Sequence, residues 1–130
     1  MVIAALFVYG LSSCKKNDIA QPQTTLQKIQ GSWLLQNITT NDHYSGSDHN
    51  SSTPGISTDI FDFRTDGKIY YSISGYKDTV TYNLPSDTKI VIDGVNLYDI
   101  KTLTENSFII YKKELSGSSD YSEETITWKK

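Results

Sequence analysis

The chain has 130 residues, with 12 basic and 15 acidic side chains for a formal net charge of -3, which suits one domain of about 100 to 150 residues. One cysteine and two histidines exclude an internal disulfide framework and a zinc site of the usual cysteine and histidine type, and the mild acidity leaves no electrostatic footprint for nucleic acid. Nine tyrosines, two tryptophans and four phenylalanines supply enough apolar surface for a core, which argues against a disordered chain.

The first segment, Met1 to Tyr9, is an apolar run that Ser12, Ser13, Lys15 and Lys16 end well short of the roughly twenty residues needed to span a bilayer. It reads as the apolar centre of a signal peptide. Residues 1 to 13 hold no lysine or arginine, although such peptides begin with positive charge, so a start codon set too far downstream is expected. Leu11-Ser12-Ser13-Cys14 is similar to the lipobox of bacterial lipoproteins. That resemblance implies a signal peptide over 1–13, acylation of Cys14 as the first mature residue, and a membrane partner reached through the lipid rather than through the protein surface. Acyl chains contribute about 0.8 kcal/mol per buried methylene, so two or three of them hold a protein on a membrane almost permanently. Lys15, rather than aspartate, follows the cysteine, so the expected address is the outer membrane, with its face left open. Residues 14–24, polar and interrupted by Pro22, read as a tether.

Thr25 to Gly31 predicts one helical turn, with a threonine cap, apolar residues three apart and a closing glycine. From Trp33 to Lys130 the dominant period is two, which predicts an all-β domain over 25–130. Eight strands are expected. The first, Ser32 to Thr39, places Trp33 and Leu35 on one face and Leu34 and Ile38 on the other; a long polar loop, Thr40 to Gly55, follows. Ser57 to Phe63 is the second, joined through the Asp66-Gly67 turn to a third at Lys68 to Ser74. The fourth aligns Val80, Tyr82 and Leu84, and the fifth, Lys89 to Asp93, aligns Ile90 and Ile92. The last three are Asn96 to Leu103, Ser107 to Glu114 and Ser122 to Lys129. Turn signals every eight to twelve residues favour an antiparallel up-and-down meander, and closing eight strands into a small barrel removes its exposed edges.

Three segments carry a family resemblance. Ile29-Gln30-Gly31-Ser32-Trp33 resembles the Gly-x-Trp opening of lipocalins and lipocalin-like domains, and Phe61 to Lys68 resembles the Asp-Gly hairpin of lipocalin-like lipoproteins of the Bacteroidetes. Glu124 to Lys130 is similar to their closing strand. The resemblance implies a lipocalin-like barrel with Gly31 and Trp33 at its closed end, and a small apolar or amphipathic ligand within. Candidate ligand contacts are then Phe61, Phe63, Tyr71, Tyr82 and Phe108. The same rings, with Trp33 and Trp128, could instead fill a barrel that is only just wide enough for its own side chains.

Asp42-His43 and Asp48-His49 repeat within the long loop, but the serines and asparagines around them are those of any solvated loop, so no metal is expected. No catalytic residues are expected either: the histidines lie in that loop, and Glu123 and Glu124, adjacent on a strand, face opposite sides. Asp59 with Asp62 is the other conceivable acid and base pair. No glycine-rich phosphate loop precedes a helix, and no cofactor is expected. Two non-enzymatic functions remain: a tethered barrel that takes up a small apolar molecule, or a solid barrel that contacts an envelope protein or glycan through exposed tyrosines such as Tyr44, Tyr70, Tyr76 and Tyr121.

Overall fold

The computed structural model describes residues 20–130. Cys14, the expected signal peptide and most of the expected tether lie outside the described residues. The helix α1, Thr25–Ile29, opens with a capping box: the Thr24 hydroxyl accepts from the Gln27 amide at 3.2 Å, and the Gln27 side chain accepts from the Thr24 amide at 2.9 Å. The cap is therefore Thr24, one residue before the expected Thr25, because the reciprocal bond needs a glutamine three positions on. Gly31, at φ +107°, turns the chain from α1 into the sheet.

Nine antiparallel strands follow among the described residues: β1 Gly31–Tyr44, β2 Ser47–Pro54, β3 Ile60–Phe63, β4 Lys68–Ile73, β5 Tyr76–Ser86, β6 Lys89–Ile92, β7 Asn96–Leu103, β8 Ser107–Ser116 and β9 Asp120–Lys129. From β3 to β9 each strand pairs with the next, while β3 also pairs with β1 and β9 returns to close on β1. The result is the expected closed eight-stranded up-and-down barrel, with β2 as an extra strand. One edge of β1 is held by β9 from Leu34 to His43. The other is shared end to end by β3, opposite Gly31 to Leu34, and β2, opposite Asn37 to Tyr44.

The expected loop from Thr40 to Gly55 is thus a hairpin. Its serines, asparagines and aspartates are poor strand formers when judged alone, but all except Ser45 in the turn are paired across the ladder, and pairing outweighs composition here. Ser45 and Gly46, both with positive φ, form a two-residue turn whose twist suits antiparallel strands. The repeated Asp-His dipeptides are symmetric about that turn, so Asp42 faces His49 and His43 faces Asp48.

A second departure lies at Gln36. The register between β1 and β9 shifts between Leu35 and Asn37, so Gln36 is a bulge. One extra residue reverses the alternation, and Ile38 packs against the core with Trp33 and Leu35 instead of facing away from them.

Beside the bulge the chain from Gly55 to Asp59 leaves β2 and enters β3, which starts at Ile60 rather than Ser57. Gly55 donates to the Gln36 carbonyl at 2.9 Å and Leu35 donates to the Asp59 carbonyl at 2.8 Å. The buried Asp59 carboxylate accepts from the Ile56 amide at 3.0 Å and from the Ser74 amide, in the turn between β4 and β5, at 2.7 Å. Two charge-assisted bonds satisfy a group that would otherwise be costly to bury. A Cβ on Gly55 would lie 2.1 Å from the Leu35 carbonyl oxygen, so only glycine fits the crossing.

Candidate binding surfaces

The turns at 64–67, 87–88 and 104–106 gather at one end of the barrel, and α1 lies at that end with Ile29 fully buried. Trp33, also fully buried, donates its indole N–H to the Ile29 carbonyl at 2.6 Å. The Lys130 ammonium sits 4.4 Å from the centre of the Trp33 rings and donates to the Gln30 carbonyl at 3.2 Å. Above this seal, Phe108 stacks on Trp128 at 5.0 Å, while Phe63 meets Phe108 at 5.6 Å and Trp128 at 5.9 Å edge to face. These separations are those of aromatic rings in mutual contact. The Trp128 indole N–H has no hydrogen-bond partner and is surrounded by these rings.

The five rings singled out from sequence divide at this level. Phe63, Tyr82 and Phe108 belong to the buried plug, with the Tyr82 hydroxyl donating to the Arg64 carbonyl at 2.8 Å. Phe61 and Tyr71 stack on each other at 5.3 Å and remain half-buried. Gly31 and Trp33 sit at the end of the barrel that α1 covers.

Further along the same strands, towards the other end of the barrel, the inner wall turns polar. Tyr98, 6% exposed, donates to the Glu124 carboxylate at 2.6 Å, and the Lys112 ammonium lies 3.9 Å from the same carboxylate oxygen and 3.1 Å from the Asn96 amide oxygen. Burial, and then the bond to Glu124, push the Tyr98 phenol far above its ordinary value, so it remains a donor at every physiological pH.

The strands differ in height. β6 pairs with β5 only from Tyr82 onward, whereas β8 and β9 continue past the barrel to Ser116 and Asp120. With β1 and β2 they form a four-stranded sheet that stands above the low wall. Its outer face carries Asn41, His43, Asp48, Asn50, Tyr111, Lys113, Tyr121 and Glu123, as the shared register dictates. His43 bonds Asp48 at 2.8 Å and stacks on Tyr121 at 4.8 Å, and Lys113 lies 3.7 Å over Tyr121. The His43 bond holds the Asp48 carboxyl below the ordinary carboxylate value. His49 instead stacks on Tyr44, at 4.0 Å. The two Asp-His pairs occupy opposite faces and cannot enclose one ion, and no metal-binding group is found among the described residues.

Glu123 and Glu124 likewise face opposite sides. Glu123 accepts from the Tyr111 hydroxyl at 2.6 Å and lies 3.4 Å from Lys113. The Tyr111 bond holds the Glu123 carboxyl below its ordinary value and, in return, pushes the phenol up to about 12. Asp59 is committed to backbone amides, and Asp62 accepts from the Arg64 guanidinium at 2.7 Å, so these two carboxylates do not share a site. Of the exposed tyrosines expected to meet partners, Tyr44 and Tyr76 are open, Tyr70 is half-buried with Arg64 4.1 Å over its ring, and Tyr121 is half-buried under Lys113.

A groove of about 320 Å³ opens beside this sheet, lined among others by Asn41, Asn50, Ser52, Tyr111, Glu123 and Thr125. A larger one, about 990 Å³, runs over the outer wall of β3, β4 and β5 and includes Ile60, Arg64 and Tyr70. Nothing in the sequence marks Asn41 or Asn50 as part of a binding site; the symmetric Asp-His repeat, read as a hairpin, places them opposite each other. What fold and surface define is a small closed β-barrel with an aromatic plug and a polar sheet standing above it. No protein family, curated protein or solved structure matches the chain.

Proposed function

We propose that this chain is a non-catalytic, lipid-tethered lipocalin-like protein of the cell envelope that recognises its partner through the outer wall of a largely filled barrel. The observation that carries this reading is the position of Phe63, Tyr82 and Phe108. Three of the five rings that could have lined a ligand chamber are spent on plugging it. The lipobox-like Leu11 to Cys14 supports the tether, and the outer membrane follows from Lys15. The Gly-x-Trp opening supports the family reading, since Trp33 plugs the barrel end beneath Lys130.

The test has two arms. Acylation is read from the mass and detergent-phase partition of the full chain, and Cys14→Ser should abolish both; an unmodified thiol in the wild-type protein refutes the tether. Titration with oleate or an apolar fluorescent dye, followed by tryptophan emission, should give no saturable change. A second reading, a small amphipathic molecule held in the upper part of the lumen, is favoured by the half-buried Phe61 and Tyr71 together with Ile38 and Ile126. Saturable binding lost in both Phe61→Ala and Tyr71→Ala would establish that reading instead.

A further inference from the structure

The sheet formed by β2, the outer half of β1, and the ends of β8 and β9 stabilises the protein little through burial. All eight residues of β2 are exposed, and the strand is held by its ladder and by polar pairs such as the Thr40 and Ser51 hydroxyls at 2.7 Å and the Ser52 hydroxyl donating to Asn37 at 3.0 Å. Ordering a residue costs about 1 to 2 kcal/mol of conformational entropy, which exposed polar pairs barely offset. An ordered polar sheet beyond the core therefore calls for a use other than stability.

Its outer groove has a defined chemistry. The Asn41 amide nitrogen is suspended between the Asp48 and Glu123 carboxylates at 3.4 Å from each, long for hydrogen bonds, and the Asn41 carbonyl oxygen has no donor at all. Beside it stand the Asn50 amide, the Ser52 and Thr125 hydroxyls, and the ring of Tyr111 with its hydroxyl on Glu123. Glu123 is kept ionised by Tyr111 and retains acceptor capacity on its second oxygen, whose one contact is the long Asn41 bond. Lys113 faces Glu123 and so does not offer an unopposed charge to an anion. Closely spaced amides, hydroxyls and one carboxylate beside an aromatic ring match a neutral ligand that bears many hydroxyl groups on an apolar ring.

Resting on the outer-wall reading above, we propose that this groove is a saccharide-binding site. Its volume of about 320 Å³ accommodates one or two sugar rings. Glu123 and Asn50 bond hydroxyls, Tyr111 lies along the sugar face, and Asn41 turns to give its free carbonyl a donor. Binding replaces two long contacts of Asn41 with ligand bonds, so the site works by completing a polar network left incomplete in the free protein.

The experiment titrates the full chain, carrying Cys14→Ser, with cellobiose, maltose, mannobiose and N,N′-diacetylchitobiose to tens of millimolar while amide chemical shifts are recorded. At least one disaccharide should cause saturable shifts at Asn41, Asn50, Ser52, Tyr111 and Glu123. Glu123→Gln and, separately, Asn50→Ala should each weaken it about tenfold, the size expected for one lost charged or polar bond. Both variants should still unfold cooperatively within a few degrees of the parent, because neither residue touches the aromatic core, which distinguishes lost binding from lost fold. Absence of saturable shifts with the whole panel overturns the proposal, as does tighter binding of galacturonate than of any neutral sugar. Shifts centred on Phe61 and Tyr71 also overturn it and count against the outer-wall reading itself. An apolar dye that fails to bind, alongside a silent panel, leaves the outer-wall reading standing and removes the saccharide alone.

Discussion

The two ends of this barrel are built by opposite rules. The closed end buries Trp33, Phe63, Phe108 and Trp128 almost completely and is held by close packing, whereas the sheet at the other end is polar on both faces and held by the ladder and side-chain pairs. Packing energy grows with apolar area and collapses when a void is opened; a ladder among solvated side chains tolerates the loss of any one of them. The closed end should therefore govern stability, and the open sheet should be free to serve recognition.

Substitutions can break that contrast. Phe63→Ala empties a site between Tyr82, Phe108 and Trp128 and should cost about 3 to 5 kcal/mol in urea unfolding. A loss below about 1 kcal/mol, far short of that range, would mean the plug is loosely packed and would revive the ligand chamber. Gly55→Ala tests the junction between the two regions. With a methyl placed 2.1 Å from the Leu35 carbonyl oxygen the crossing must move, at about 1 to 3 kcal/mol or more. Asp59→Asn should follow at about 1 to 3 kcal/mol, because an amide offers one acceptor oxygen where the Ile56 and Ser74 amides require two.

The open sheet should respond weakly. Ser51→Ala removes the bond to Thr40 and should change stability by no more than about 0.5 kcal/mol, measured by the same unfolding experiment. Acid sensitivity sharpens the comparison further. The Asp48 and Glu123 carboxyls, on the sheet, are depressed by His43 and by Tyr111 respectively. A depressed folded pKa contributes stability that is present above the unfolded value and is lost as the pH falls through it towards the lower folded value. Protection factors of the β2 amides, taken relative to the slower intrinsic exchange in acid, should therefore fall once the pH drops below the ordinary carboxylate range, before those of the core amides of Phe63 and Phe108 do. Simultaneous exchange of both regions would show that the sheet and plug open as one unit.

Much of the barrel could be read from alternation alone. Ile69 with Tyr71, Val80 with Tyr82, and Ile126 with Trp128 follow the period of two, and Asp66-Gly67 marks the reversal between β3 and β4. Ile38 could not be placed that way, because a single bulge at Gln36 inverts the parity of everything after it. The hairpin of β1 and β2 was hidden for a different reason. Its strand character comes from pairing with a neighbour, and neither Asp48 nor Asn50 carries a local preference that reveals the partner. The candidate groove depends on that hidden pairing, which brings Asn41, Asn50 and Glu123 together from three strands.

Residue order is enough to establish the class of fold and which side chains are apolar enough to be buried, because the burial of alternate residues is written in it. Which buried rings form a plug and which stay half-open depends instead on strand stagger and on closure between β1 and β9. That closure also decides the surface chemistry, because groups separated by some eighty residues, such as Asn41 and Glu123, meet only when the wall closes.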